Sequence, residues 1–455
     1  MDVTLARLAR YIQEVSASDV SPEALYAAKR RLIDSVACAA AAFPEPFCQQ
    51  LRQFGAAYTH SQYHARIWGT GQSTTLEMAA LVNGSLLRYL DLSDTVLSRS
   101  NGHPSDMIGA LVAVAEALQC SGKLLLQAIV ASYEIYVSLC DAVAMAAKGL
   151  DQATAAAVGA AGGTALLLGL DEVQTANSLS LALSGHMQLF NVRCGELSDW
   201  KGCAGPNGAR HGVFSCLLAQ AGVSGPTAPV EGKGGLQTIL GAFEWTPGQG
   251  AERGRARIEN THLKLHPVCY HGQSAVDAAL VLRCQVPADK VRSVRIVTYE
   301  AAFLGMGNDP QRWQPSNRET ADHSLPYVVA TVWLDGALGI DSYADAQLQR
   351  PDLLAWMQRI EVQPCLEMTQ QFPSQSQVRI EVTDLQGVTT VHTQRNPRGH
   401  ANDPISDAEL EAKFLACFAP WGDAVQASSL LEFLWQVEEL ANVGQLVDRL
   451  VPAAA

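Results

Sequence analysis

Apolar residues recur at three- and four-residue spacings through most of the first 285 positions, the period of helices that bury one face. Residues 24–42 and 104–120 (PSDMIGALVAVAEALQC) carry this pattern, and 125–145 and 206–221 extend it, so this part reads as an all-α core. Residues 222–252, rich in Gly, Pro and Thr, read as a connector with one short helical piece. The period changes after Pro287. Residues 291–299 (VRSVRIVTY) largely alternate apolar and polar positions, as a half-buried strand does, and 359–362 repeat this briefly. Residues 378–384 and 388–394 flank Leu385-Gln386-Gly387 and read as a hairpin. Helical stretches are expected near 323–334 and 342–348, and 406–418 and 427–451 return to helix. The predicted architecture is mainly α with a smaller α+β domain. A large all-helical, bundle-like domain spans residues 1–270, an α+β lid 271–400, and the helical domain resumes over 401–455.

Composition fits this picture. With 48% hydrophobic residues in 455, the chain can bury a large core, and abundant Gly and Ala with only 7% aromatics suit closely packed helices. The net charge of −13 argues against a nucleic-acid partner, and it requires any carboxylate site to be built from local cations and helix N-termini. Uncharged runs at 152–170 and 173–192 approach membrane-spanning length. Glycines break the first, and Gln174, Asn177 and His186 interrupt the second, so buried helices are expected and no membrane association. The start, MDVTLARLARYIQEV, has helical periodicity and an early Asp, unlike a signal peptide, so a cytoplasmic location is expected. The eleven cysteines include no C-x-x-C pair, and buried free thiols are expected rather than disulfides or metal ligands.

Four constellations offer chemistry. In NGSLLRYLDLSDTVLSRSNGHPSD (residues 83–106), Asp91 and Thr95 would share the face of a helix ending there, and His103 directly precedes Pro104, well placed as a first helical residue. Free N–H groups at such a terminus attract carboxylates. Ordinary capping by Ser105 and Asp106, with His103 merely exposed, is the alternative. Residues 200–211 read as a glycine-bearing loop with Lys201 and Arg210 as cations able to bind carboxylates, or as a solvated loop. Residues 262–273 bring His262, Lys264, His266 and His271 close before an amphipathic helix at 274–283. An anion pocket, simple surface polarity and zinc all stay open there, although the spacing matches no compact zinc site. His323 lies near a helix start with Tyr327 four positions on, where core or capping roles serve as well. No G-x-S-x-G or dinucleotide-binding glycine fingerprint occurs.

Taken in order, these pieces resemble the MmgE/PrpD family nearly end to end. The resemblance rests on Arg31-Leu32-Ile33-Asp34, Asn83-Gly84, Asp91-Leu92-Ser93-Asp94-Thr95, Gly102-His103-Pro104-Ser105-Asp106 and Trp200-Lys201. It continues with Lys264 and Pro267 leading into Ala275–Ala279, His323 and Tyr327, Pro397-Arg398-Gly399, and Asp403-Pro404-Ile405-Ser406. The family includes 2-methylcitrate dehydratase, cis-aconitate decarboxylase and iminodisuccinate epimerase. The resemblance implies a homodimer with the active site between a helical domain and an α+β lid, lined by Asp91, Thr95, His103, Lys201, Lys264 and Tyr327. Cys269 stands where the decarboxylase has a histidine, and Lys148-Gly149-Leu150-Asp151-Gln152 lacks a His-Pro-type motif. With the later His271, these features are closer to the dehydratase branch.

The implied activity is that of a lyase dehydrating a small 2-hydroxy polycarboxylate such as 2-methylcitrate, by metal-independent acid/base chemistry and without a cofactor. Asp91, His103, Lys201 and Tyr327 are the expected catalytic residues. Thr95, Lys264, Arg210, His271 and His323 are expected to bind substrate. In this scheme His103 transfers the proton with Asp91 orienting it or acting as base, the lysines stabilise developing charge, and Tyr327 donates to the departing hydroxyl. A decarboxylase or epimerase of the same family, or a silent carboxylate-binding dimer, are the alternatives.

Overall fold

A computed structural model describes residues 1–248 and 255–451. Residues 249–252 of the expected connector lie outside the described residues; the rest of it contains one short helix, Leu236–Leu240. The molecule is mainly α with a smaller α+β part, as its sequence pattern predicts. A first core runs from Leu5 to Leu263 and resumes from Ile405 to Leu450. A second core runs from Val268 to Val382.

Helices Leu76–Arg88, Gly122–Ala142, Ala153–Leu167 and Trp200–Gln220 form the centre of the first core. Their contact depends on missing side chains. A Cβ on Gly208 or Gly212 would come within 2.4 Å of the carbonyl oxygen of Ala153 or Ala157, so helix backbones meet directly there. This packing also overturns one expectation: residues 200–211 are not a loop but the first half of the helix Trp200–Gln220, with Pro206 inside it. The glycines that suggest a loop in the sequence are used for close approach, and tertiary packing outweighs their weak helix propensity. Gly205 is the most constrained of them, since a Cβ would fall 1.8 Å from Asp106 Oδ2. Gly205→Ala should therefore cost about 1–3 kcal/mol, measured by urea unfolding. Wild-type stability would show that Asp106 can move aside.

The helix Gly122–Ala142 is long and apolar enough to cross a membrane, yet 83% of its most apolar window is buried inside the protein. A two-stranded sheet, β1 (His64–Arg66) with β2 (Ser73–Thr75), interrupts the helical part, and the sequence pattern does not reveal it. Nor is 427–451 a single helix. It divides into Ala424–Trp435, a turn at Val437–Glu439 and Gly444–Arg449. The break lets Leu440 accept from Gly122 N–H at 2.8 Å while Val443 N–H donates to Cys120 at 2.8 Å.

The second core is built on β3 (Val291–Thr298), β4 (Ile360–Pro364), β5 (Val378–Asp384) and β6 (Thr389–Gln394), in the order β4-β3-β5-β6. The β3–β4 pair is parallel, and β5 runs antiparallel to β3 and β6, so the hairpin read from the sequence forms as expected. Helices Tyr270–Arg283 and Leu325–Asp335 pack together in this core. The two cores meet where Arg318–His323 faces the start of helix Trp200–Gln220; Leu197 N–H donates to Thr320 Oγ1 at 3.2 Å across this seam. Among the cysteines, Cys38, Cys48, Cys140, Cys203, Cys216 and Cys417 are buried free thiols as expected, while Cys194 and Cys284 are exposed.

Candidate active site

The helix Leu76–Arg88 stops just before Asp91, whose backbone turns left-handed (φ 51°). Asp91 and Thr95 therefore do not share a helix face, contrary to the sequence expectation. Thr95 instead exchanges backbone hydrogen bonds with His262, at 2.9 and 2.7 Å. That pairing brings Lys264 against Asp91. Lys264 Nζ donates to the Asp91 carbonyl at 2.8 Å and forms a short ion pair with Oδ1. Arg88 Nη1 lies 3.2 Å from the same oxygen, and Lys201 Nζ and His323 Nε2 lie 3.4 and 3.6 Å from Oδ2. Arg88, Asp91, Lys201 and Lys264 are each at most 1% exposed. Burial opposes ionisation of Asp91, but Arg88, Lys264 and Lys201 outweigh it and hold the carboxyl well below its usual range. Asp91 is thus a permanent anion that gathers cations, and a poor base.

Lys201 reaches across the seam. Its Nζ lies 3.0 and 3.1 Å from the Asp322 oxygens and 2.5 Å from Glu319 Oε2. Burial works against this ammonium, and the carboxylates of Asp322, Glu319 and Asp91 more than compensate, raising its pKa. Burial pushes Glu319 up to about 7 despite Lys201. Asp322 also binds His323 Nδ1 at 2.5 Å. His323 is raised although burial opposes this, because Cys269 and Asp322 favour its charged form; His323 in turn holds the half-buried Cys269 thiol below its ordinary value.

His103 Nδ1 lies 2.8 Å from the Asp94 carbonyl oxygen and 2.9 Å from Thr95 Oγ1. A carbonyl only accepts, so Nδ1 carries the hydrogen and Nε2 presents its lone pair. No group among the described residues hydrogen-bonds Nε2. Burial, then Arg88 and Lys264, push His103 well below its ordinary pKa, so the ring is neutral at pH 7. Pro104 begins a short 3-10 turn, Pro104–Met107, as its position suggests. The expected anion-binding terminus is filled from within: Asp94 Oδ1 accepts from Ser105 N–H at 3.0 Å, and Tyr133 donates to Oδ2 at 2.9 Å.

Asp91, Thr95, His103, Lys201, Lys264 and His323 thus come together. His271 lies beside them, its Nδ1 2.7 Å from Tyr299 OH and its pKa lowered to about 4 by burial, then by His323 and Lys264. Two expected site residues do not join. Tyr327 lies in the second core and donates to the Ser342 carbonyl at 2.7 Å, because helix Leu325–Asp335 turns that face inward. Arg210 is nine residues beyond Lys201, about 13 Å of helix rise, and binds Asn207 Oδ1 at 2.9 Å. The sequence reading did not single out Arg88, Glu319 and Asp322. Their signals are faint: a lone arginine in the apolar run SLLRYL, and acids just before His323.

Ligand atoms of Asp91, Asp322 and His323 lie within 4.8 Å of one another, a spacing that could suit a metal ion. Lys201 Nζ already sits 3.4 and 3.0 Å from the two carboxylates and supplies the positive charge. The histidines of 262–271 do not converge: His262 stacks on His400 at 4.3 Å, and His266 Nε2 meets Asp277 at 2.9 Å. A cavity of about 410 Å³ lined by Leu92, Leu265, Pro267, Leu338 and Lys413 contains none of the charged cluster around Asp91.

Asp106 adds a pH dependence. Gln152 donates to its Oδ2 at 3.1 Å, Arg88 Nε lies 3.6 Å from Oδ1, and burial pushes the carboxyl up to about 7. Because this folded-state value lies above the ordinary one, its contribution to stability is complete at low pH and is lost as pH rises through about 7. Asp106→Asn should remove that loss. Relative to wild type, the variant should gain about 1–2 kcal/mol between pH 6 and pH 8 in urea unfolding. A constant difference would refute the buried titration.

Residues 6–246 match the MmgE/PrpD N-terminal domain and 266–439 the MmgE/PrpD C-terminal domain. A 2-methylcitrate dehydratase of Escherichia coli is 29% identical over 349 residues, covering 71% of this chain and 70% of that protein. A probable 2-methylcitrate dehydratase of Saccharomyces cerevisiae is 27% identical over 379 residues, covering 77% of this chain and 72% of that protein. An alkylcitrate dehydratase of Talaromyces stipitatus is 30% identical over 275 residues, covering 56% and 54% respectively.

Proposed function

The chain belongs to the MmgE/PrpD family, and from that premise we propose that it dehydrates a small 2-hydroxy polycarboxylate of the 2-methylcitrate kind, as a carbon–oxygen lyase independent of metal. The observation that carries this reading is His103, neutral, with Nδ1 tied to the Asp94 carbonyl and Nε2 free.

Nε2 takes the C–H proton, the released electron pair forms the C=C bond, and the C–O bond breaks. The departing hydroxyl needs a proton to leave as water, and His323, biased toward its charged form, supplies it. Lys201 and Lys264 stabilise the charge that develops on the substrate carboxylate in a dry site. Glu319, whose carboxyl burial raises above its ordinary range, is the carboxylate most readily displaced from Lys201 by a substrate carboxylate. Asp91 organises the cations and takes no proton. Metal independence is supported by Lys201, whose ammonium already pairs with both carboxylates of the group, Asp91 and Asp322. A homodimer is the assembly the family resemblance implies.

The test is NMR of the purified protein with 2-methylcitrate, citrate, cis-aconitate and tartrate isomers. Water loss from 2-methylcitrate is expected. Loss of carbon dioxide from cis-aconitate would establish a decarboxylase instead, and binding of every ligand without product would establish a silent binder.

A further inference from the structure

Arg88 is 1% exposed, yet none of its three guanidinium nitrogens has a hydrogen-bond partner. Asp91 Oδ1 at 3.2 Å and Asp106 Oδ1 at 3.6 Å attract it by charge alone. The other two cations of the cluster are satisfied: Lys264 binds the carbonyl and carboxylate of Asp91, and Lys201 binds Asp322. A buried guanidinium whose donors go unused is costly, whereas its planar fork matches a carboxylate with two parallel hydrogen bonds. Asp106 Oδ1 likewise accepts no hydrogen bond, so an incoming carboxylate need break none to take Arg88.

Resting on the proposed reading of the site, we infer that Arg88 is a specificity residue that binds a carboxylate of the substrate through its guanidinium fork, selecting tricarboxylates over dicarboxylates. Ligand carboxylates reach Lys201 and Lys264 only by exchange with the carboxylates those lysines already hold, whereas the additional carboxylate of a tricarboxylate meets Arg88, whose donors are unused.

Calorimetric binding of citrate and of citramalate, which lacks one carboxylate, tests this on wild type, Arg88→Lys and Arg88→Gln. Wild type should prefer citrate by about 10- to 100-fold, the scale of a bidentate charge-assisted pair. Arg88→Lys keeps the charge but loses the fork. It should erase most of that preference while leaving citramalate binding within about threefold. Equal weakening of both ligands, or unchanged citrate binding, would overturn the inference. Should both variants fail to fold, wild type alone decides, because no preference for citrate also overturns it. Wild type that neither binds nor converts any hydroxy polycarboxylate would instead remove the proposed function on which the inference rests.

Discussion

His103→Ala is expected to lower kcat by about 100- to 10,000-fold, the range for loss of a general base, with little change in thermal stability. The structure gives this residue few other duties. Its ring is half-buried, its Nδ1 is spent on orientation by Asp94 and Thr95, and the tautomer this fixes leaves Nε2 as the acceptor. The ring's depressed pKa adds a second expectation. Activity should not fall at pH 6.5, where an ordinary histidine titrates, and any acid limb assigned to His103 should lie well below that value. Rates and melting temperatures of the variant from pH 5 to pH 8 check both. Near-wild-type turnover would remove His103 from the chemistry, and a large fall in Tm would make its role structural.

Lys201→Met is the change expected to do most damage overall. It leaves Asp91, Glu319 and Asp322 in a dry site without the ammonium that pairs them across the seam. Removing one partner of a buried ionic group typically costs about 3–5 kcal/mol, and losing one electrostatic donor to developing charge about 100- to 1,000-fold in kcat. The stability defect should depend on pH. Lys201 lowers all three carboxyls, so without it each shifts upward, Glu319 from a value already above its ordinary one. Protonation then relieves the cost at low pH, and stability falls as pH rises through the shifted values. The variant should therefore lie closer to wild type at pH 5 than at pH 8. Adding Glu319→Gln should recover stability at pH 8 and leave activity low. A pH-independent defect would mean that the carboxylates do not carry the cost.

Much of the frame was legible from periodicity, because the helices and the strands β3 to β6 each bury one regular face. The sequence was misleading where a residue type has two uses. Glycine signals a loop at 200–211, but there it admits neighbouring backbones into contact with a helix. Within the site, the His103-Pro104 step was readable because proline fixes the start of the turn. The family order of Asp91, Lys201 and Lys264 stood in for their contacts. Arg88, Glu319 and Asp322 were not readable, since their importance lies in pairings such as Lys201 with Asp322, 121 residues apart. Tyr327 was misplaced for a related reason: spacing puts it one helical turn from His323 but does not say that its hydroxyl turns to Ser342.

The most direct measurement is proton NMR of chelator-treated wild-type protein incubated with 2-methylcitrate in deuterated buffer. The expected result is an unsaturated tricarboxylate formed with loss of water, at the rate seen without chelator. A rate that collapses under chelation and returns with added metal, or a substrate left unchanged while the protein binds it, would contradict the central claim.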